Sequence, residues 1–427
     1  MPIRGDWKFP TASGIVTTPT LRPDHSILCA PGYDPTTRLY LVADPTLILP
    51  AIPAFPTREQ AGTALELLDA LLNGFPFVTE IDRSVALSAL LTTVCRGAMS
   101  VAPLHAFRAN TAGTGKSYLC DLASALATGR PCPVVAAGSN GDETDKRLVG
   151  LLLAGFPLVS IDNLNGELGS DLLCQAVERP LIRLRRLGGS DISELEIRAT
   201  LFANGNALRV RGDMTRRTVV CDLDAQEERP ELRTFAFDPV ERVLADRGRY
   251  VAAALTIVRA FVISDAKPDL APLASYADYS ATVRGALVWL GRSDPVLSME
   301  GAREDDPELS ELLDVMAQWQ QHIGLNTDSP AKAIIHLADL HKHDDETGRQ
   351  LPDYANPDLR DTLLAVAHGR IGIDAGRFGK WLRSKKGRVV SLQLPHDQRA
   401  RVRFEARGLT QGVARWRLTS LSAKGGS

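Results

Sequence analysis

The chain has no Cys-x-x-Cys pair: its six cysteines, Cys29, Cys95, Cys120, Cys132, Cys174 and Cys221, are scattered along 427 residues. That spacing excludes a zinc ribbon or a small disulfide framework, and the expectation is reduced thiols in a zinc-free, cytoplasmic protein. Long hydrophobic runs are lacking too. The most apolar stretches, 148–161 and 250–263, are too short or too interrupted to span a bilayer, so no membrane partner is expected. The sequence opens without a charged-then-apolar leader and shows neither an internal repeat nor a low-complexity tract. An excess of one charge sign is missing as well, the formal net charge being −2. A polyanion would therefore have to meet a local face. Glu300, Glu304, Asp305, Asp306, Glu308 and Glu311 make an acidic patch, whereas the C-terminal end is basic.

At this length one core stops growing, and two or three domains are expected. Residues 1–74 read as a collar, with proline and β-formers first, a turn at 32–37, a strand at 38–42, and then helical spacing from Arg58. Residues 75–237 alternate between strand and helix: strands at 103–108, 133–137, 157–161 and 199–203, with helices between them, which is the rhythm of a parallel α/β sheet. Residues 238–368 read as a helical lid or linker, and 369–421 as a helix followed by a β-ribbon, the pattern of a winged helix. A disordered tail is expected at 422–427.

The strongest chemical signal lies at Asn110, Thr111, Ala112, Gly113, Thr114, Gly115, Lys116, Ser117 and Tyr118, a Walker A loop with asparagine at its first glycine position. It sits between a strand and a helix. Its backbone N–H groups would cradle the phosphates of ATP, Lys116 would reach the β- and γ-phosphates, and Ser117 would hold Mg²⁺. The strand ending at Asp162 supplies the acid for that Mg²⁺. Asn163 follows where a glutamate base is usual, and an amide can orient a water without taking its proton. Glu143 or Glu167 is left as the candidate base. The next strand ends in amides, with Asn206 the preferred contact for the γ-phosphate or its water and Asn204 the fallback.

Arg216 and Arg217 would stabilise transition-state charge on a neighbouring subunit's phosphate, or else lie on a solvated face. Between the acid and amide strands, Arg183 and Arg185 alternate with Ile182 and Leu184, then Arg186 and a turn at Gly188-Gly189 follow, which reads as a hairpin. In a ring it would present cations to single-stranded DNA; packing between subunits is the competing role. Residues 369–421 hold thirteen Lys and Arg, including Lys380, Arg383, Lys385 and Lys386, against Asp374, Asp397 and Glu405, so 13 − 3 gives a formal +10. That is a nucleic-acid footprint. Trp381 and Trp416 read as core, and His341-x-His343-Asp344-Asp345 as a solvated loop rather than a metal site.

This order of motifs, with Phe75-Pro-Phe-Val-Thr79, Ile161-Asp-Asn163 and Gly212–Arg217, resembles the AAA+ ATPases of superfamily 3 helicase character, in particular the helicase portion of primase-helicases of phages, plasmids and integrative elements. The resemblance implies an α/β fold: an AAA+ P-loop NTPase core with a parallel sheet, an N-terminal collar, a helical lid and a C-terminal winged-helix-like domain. It implies an ATP- and Mg²⁺-dependent DNA helicase, a homo-hexameric ring on single-stranded and forked DNA, with any primase separate. Arg216 and Arg217 match the family's trans-acting arginines and Asn206 its sensor. An AAA+ initiator or defence ATPase that oligomerises without processive unwinding is the alternative.

Overall fold

Five short, strongly apolar segments pair side by side in one parallel sheet: β1 (Leu104–Ala109), β2 (Val134–Ala136), β3 (Leu158–Asp162), β4 (Thr200–Asn206) and β5 (Thr218–Leu223), in the order β5-β1-β4-β3-β2. The computed structural model describes residues 9–42, 44–138, 141–185, 192–343, 349–394, 398–410 and 412–421. Within them the chain is mixed α/β. The inner strands are buried along nearly their whole length, as a sheet covered on both faces requires. Strand β5 is not expected from the sequence, which gives it no alternating pattern.

Helices α1 (Arg58–Asp69), α2 (Glu80–Cys95), α3 (Lys116–Thr128), α4 (Gly141–Leu153), α5 (Asp171–Glu178), α6 (Pro239–Ala245) and α7 (Arg247–Ile263) surround the sheet. One apolar cluster joins α1, α2, α3 and α7 to β1 and β5; a second joins α4 and α5 to β2, β3 and β4. Helix α7 is buried on nearly every side, with Val251, Leu255, Val258 and Phe261 among its covered residues. A solvent-facing lid helix would carry a polar face. Ahead of α1, the three strands Gly14–Val16, Leu39–Leu41 and Gly32–Tyr33 form a small sheet. The turn expected at 32–37 is tightened by Asp34, which accepts from the Thr37 backbone N–H and hydroxyl at 3.0 and 2.7 Å.

Chain contacts divide the protein into two units, 1–305 and 306–427. The stretch 238–368, read from sequence as one lid or linker, is therefore shared: its first part packs in the first unit, its remainder in the second. In the second unit the helices Pro307–His322, Ala331–Ala338, Pro357–Ala367 and Ala375–Lys385 share a core with strands Val390–Gln393, Arg399–Thr410 and Val413–Leu421. Trp319 and Trp416 are buried there, and Trp381 packs at its margin. Residues 341–343 form a strand paired with Gln350–Tyr354, not a loop, while Asp344 and Asp345 lie outside the described residues. So does the tail 422–427.

All six thiols are unpaired. No helix among the described residues is long and apolar enough to cross a membrane.

Candidate active site

The loop after β1 owes its shape to two glycines. Gly113 and Gly115 have φ of +76° and +99°, a region costly for other residues, and Gly115 caps α3 so that the helix begins at Lys116. Successive N–H groups therefore converge in front of a helix N-terminus, an anion-binding concavity. Asn110, Thr111 and Ala112 are exposed on the rim, and Ser117 is exposed in the first turn of α3. The buried Lys116 ammonium donates to the Thr111 carbonyl at 2.8 Å and to Thr114 Oγ1 at 3.2 Å, so it points into its own loop. Burial lowers its basicity, and the charge of Asp162 offsets part of that.

Strand β4 separates β1 from β3, so the tips at Ala109, Asn206 and Asp162 stand in a row along one edge of the sheet. The Asn206 Oδ1 is buried with no hydrogen-bond partner, beside the loop strand. An unpaired buried acceptor is costly, and a ligand or its water is the kind of partner that would relieve it. Asn204, two positions back on the same face of the strand, is engaged instead: its Nδ2 donates to Ser160 Oγ at 3.1 Å inside the core. Asn163 has φ of +55°, a conformation asparagine tolerates better than glutamate, which gives the asparagine at this position a local cause. The turn it starts packs so tightly on β4 that a Cβ at Gly205 would meet the Leu164 carbonyl oxygen at 1.9 Å.

Glu143 lies in the first turn of α4, beyond the tip of β2, and accepts from Arg147 Nε at 3.3 Å. Strand β2 neighbours β3, with Ala136 opposite Asp162. Glu167 instead pairs with Arg211. Of the two, Glu143 is the one beside the acid strand. Glu143→Gln is expected to lower kcat for hydrolysis by about 10²-fold or more with nucleotide affinity unchanged; an unaltered kcat removes Glu143 as the base.

Arg216 and Arg217 precede β5, at the opposite end of the sheet from the loop. Thr218 pairs with Leu104 at the start of β1, and about six residues at 3.3 Å each, roughly 20 Å, separate that end from the phosphate loop. The two arginines differ. Both pair with Glu178 and Asp213, but Arg217 is 4% exposed, whereas Arg216 is 41% exposed and reaches Glu178 Oε1 at 3.1 Å and Asp213 Oδ1 at 2.6 Å. Glu178 also accepts from Ser275 Oγ at 2.6 Å. Burial would raise the Glu178 pKa, but bonds from Ser275, Arg217 and Arg216 outweigh it and bring it down to about 2. A depressed carboxylate stabilises the fold above its ordinary value of 4.5 and loses that contribution as pH falls toward 2. The difference in thermal midpoint between wild type and Glu178→Gln is therefore expected to be full near neutrality and to close across that window. A constant difference would exclude the ionised carboxylate as its source.

The hairpin pairs Leu181–Arg185 with Ile192–Glu196. Ile182 and Leu184 are buried against the core and Arg183 is 76% exposed, as the alternation requires. Arg183 pairs with Glu194 across the strands at 2.9 Å. Arg186 and the tip at 186–191 lie outside the described residues, as does the side chain of Arg185.

In the second unit Lys380, Arg383 and Lys386 are exposed, but Lys385 donates to Glu308 at 2.5 Å and Arg388 to the same oxygen at 3.0 Å. Arg417 pairs with Asp328 at 2.6 Å. Counted over the whole unit, 18 basic and 15 acidic residues leave +3, far less than the +10 of the basic segment alone. Glu178, Phe235 and Phe237 are functional candidates that no sequence motif marks. A cavity of about 490 Å³ beside Gly113 and Gly115 is lined by Phe75, Tyr118, Phe235 and Phe237. Its readable signal was Asp238-Pro239, a cap and first-turn proline that start α6.

No protein-family model and no curated protein matches the chain. Among solved structures it is similar to two A-form apo structures of the NrS-1 C-terminal region, each at 11% identity. One has a TM-score of 0.36 over 72% of this chain and 65% of that chain, just under two thirds of its length; the other has 0.39 over 90% and 83%. Likeness of this degree carries no functional weight.

Proposed function

We propose that the chain is an ATP-dependent DNA helicase, a ring-forming translocase on single-stranded DNA that serves replication of a mobile element. One observation carries the reading. Lys116, Asp162 and the unpartnered Asn206 share one edge of a parallel sheet, while Arg216 stands at the far edge, where only another copy of the chain could use it. The loop and its converging N–H groups fit a triphosphate, and Ser117 with Asp162 would hold Mg²⁺, which would neutralise charge developing on the phosphates. Lys116 would bind the phosphates, Asn206 would orient the attacking water and Arg216 would act in trans.

Arg183 fits a pore-facing role because its bond to Glu194 is exposed and weak, and a phosphate can replace it. Arg183→Ala is expected to reduce the slope of log K against log salt for single-stranded DNA by about 0.7 per subunit contact. An unchanged slope takes the hairpin off the DNA path. The decisive experiment for the function is strand displacement on a forked duplex with and without ATP. ATP-dependent assembly on DNA with no displacement favours the initiator or defence ATPase, a reading that the weak +3 of the second unit supports poorly.

A further inference from the structure

Beside the phosphate loop, three phenylalanines and a tyrosine line one cavity, and two of the rings are held in an unusual way. Phe75 is fixed from below: Phe77 bridges to Leu223, Val78 N–H donates to the Asp222 carbonyl at 3.2 Å, and the Phe75 ring stacks on Tyr118 at 6.5 Å while lying 3.0 Å from where a Gly115 Cβ would be. Phe235 is 58% exposed, a large apolar side chain left in water beside a phosphate loop. The Arg233 guanidinium stands over it at 5.3 Å and is itself anchored on the Gly74 carbonyl at 2.7 Å. Arg242 stands over Phe237 at 3.5 Å. A guanidinium on one face steadies each ring in place.

The polar side chains around this cavity already have protein partners. Asn73 Oδ1 accepts from Arg83 at 2.8 Å, Tyr118 donates to Asp238, and Asp238 caps α6 by accepting from Val240 and Glu241 N–H groups at 2.8 and 3.0 Å. Thr114 Oγ1 accepts from Lys116. What the lining offers is ring area. A site of that kind binds any base, because every base has a π-face, whereas strong discrimination needs groups aimed at the base edge.

We propose that this cavity holds the nucleobase of the triphosphate by stacking on Phe235 and Phe237, so that the protein binds ATP, GTP, CTP and UTP with similar affinity. The inference rests on the phosphate-loop reading above. It is tested on the full chain by competition of the four triphosphates, and of inorganic tripolyphosphate, against radiolabelled ATP, so that no turnover is needed. The four nucleotides are expected to fall within about tenfold of one another, and tripolyphosphate to bind more weakly than all of them. Replacing Phe235 and Phe237 together by alanine is expected to weaken all four by about 5- to 150-fold, to leave tripolyphosphate unchanged, and to be reversed by Phe235→Trp with Phe237 restored. A preference for ATP above about a hundredfold overturns base tolerance. Tripolyphosphate binding as tightly as ATP in wild type overturns the base site while the loop reading stands. If neither binds, and Lys116→Ala behaves as wild type, both fall.

Discussion

Lys116→Ala is expected to lower triphosphate hydrolysis by about 10²–10³-fold with the folded protein intact. The ammonium is buried at the mouth of the α3 N-terminus and bonds only to the Thr111 carbonyl and the Thr114 hydroxyl of its own loop. Removing it strands no carboxylate. The loop itself is shaped by the positive φ values of Gly113 and Gly115, which the substitution does not touch. Loss of activity at an unchanged thermal midpoint is thus the expected pair of results. Hydrolysis at the wild-type rate would discard the nucleotide site altogether.

Arg216→Ala is expected to cost about 10³–10⁵ in kcat, the range seen when an arginine acts on a transferring phosphoryl group, with ATP binding by each subunit preserved. The neighbouring arginine is the control. Arg217 is buried and held by Glu178 and Asp213, so Arg217→Ala leaves part of an ion network unpaired and is expected to lower the thermal midpoint, which Arg216→Ala, more exposed, should do less. A double replacement would confuse the two effects. Mixing Arg216→Ala with Lys116→Ala protein should restore some hydrolysis, since a mixed interface can join an intact loop to an intact arginine. Failure of rescue in assemblies shown to be mixed would exclude action in trans.

The parallel core was legible because its signals are local: a glycine-rich loop after an apolar run, and an apolar run ending in Asp162. Strand β5, Thr218–Leu223, was missed because it is buried on both faces and follows directly on two arginines, so it shows no alternation. The distinct fates of Asn204 and Asn206 could not be read either. They lie on the same face of one strand, and only packing decides which of them meets Ser160. The contrast between Arg216 and Arg217 is one of burial, which two adjacent positions do not reveal, and the Glu178 that pairs with both lies nearly forty positions away. The basic segment misled for a similar reason. Its charges are partly matched by Asp306, Glu308 and Asp328, which lie well before it in sequence and fold onto it. Cutting the chain at 369 would also divide a core in which Trp319 packs against Phe404.

The opposed placement of the phosphate loop and the arginine pair gives each subunit a direction. Patches at opposite ends of one sheet can be joined by head-to-tail repetition, the loop of one subunit meeting the arginine of the next. An open row of n subunits then has n − 1 completed sites, and a closed ring has n. On the proposed reading, turnover per subunit therefore counts closure: it climbs with protein concentration as rows lengthen, and levels off when the last loop finds the first arginine.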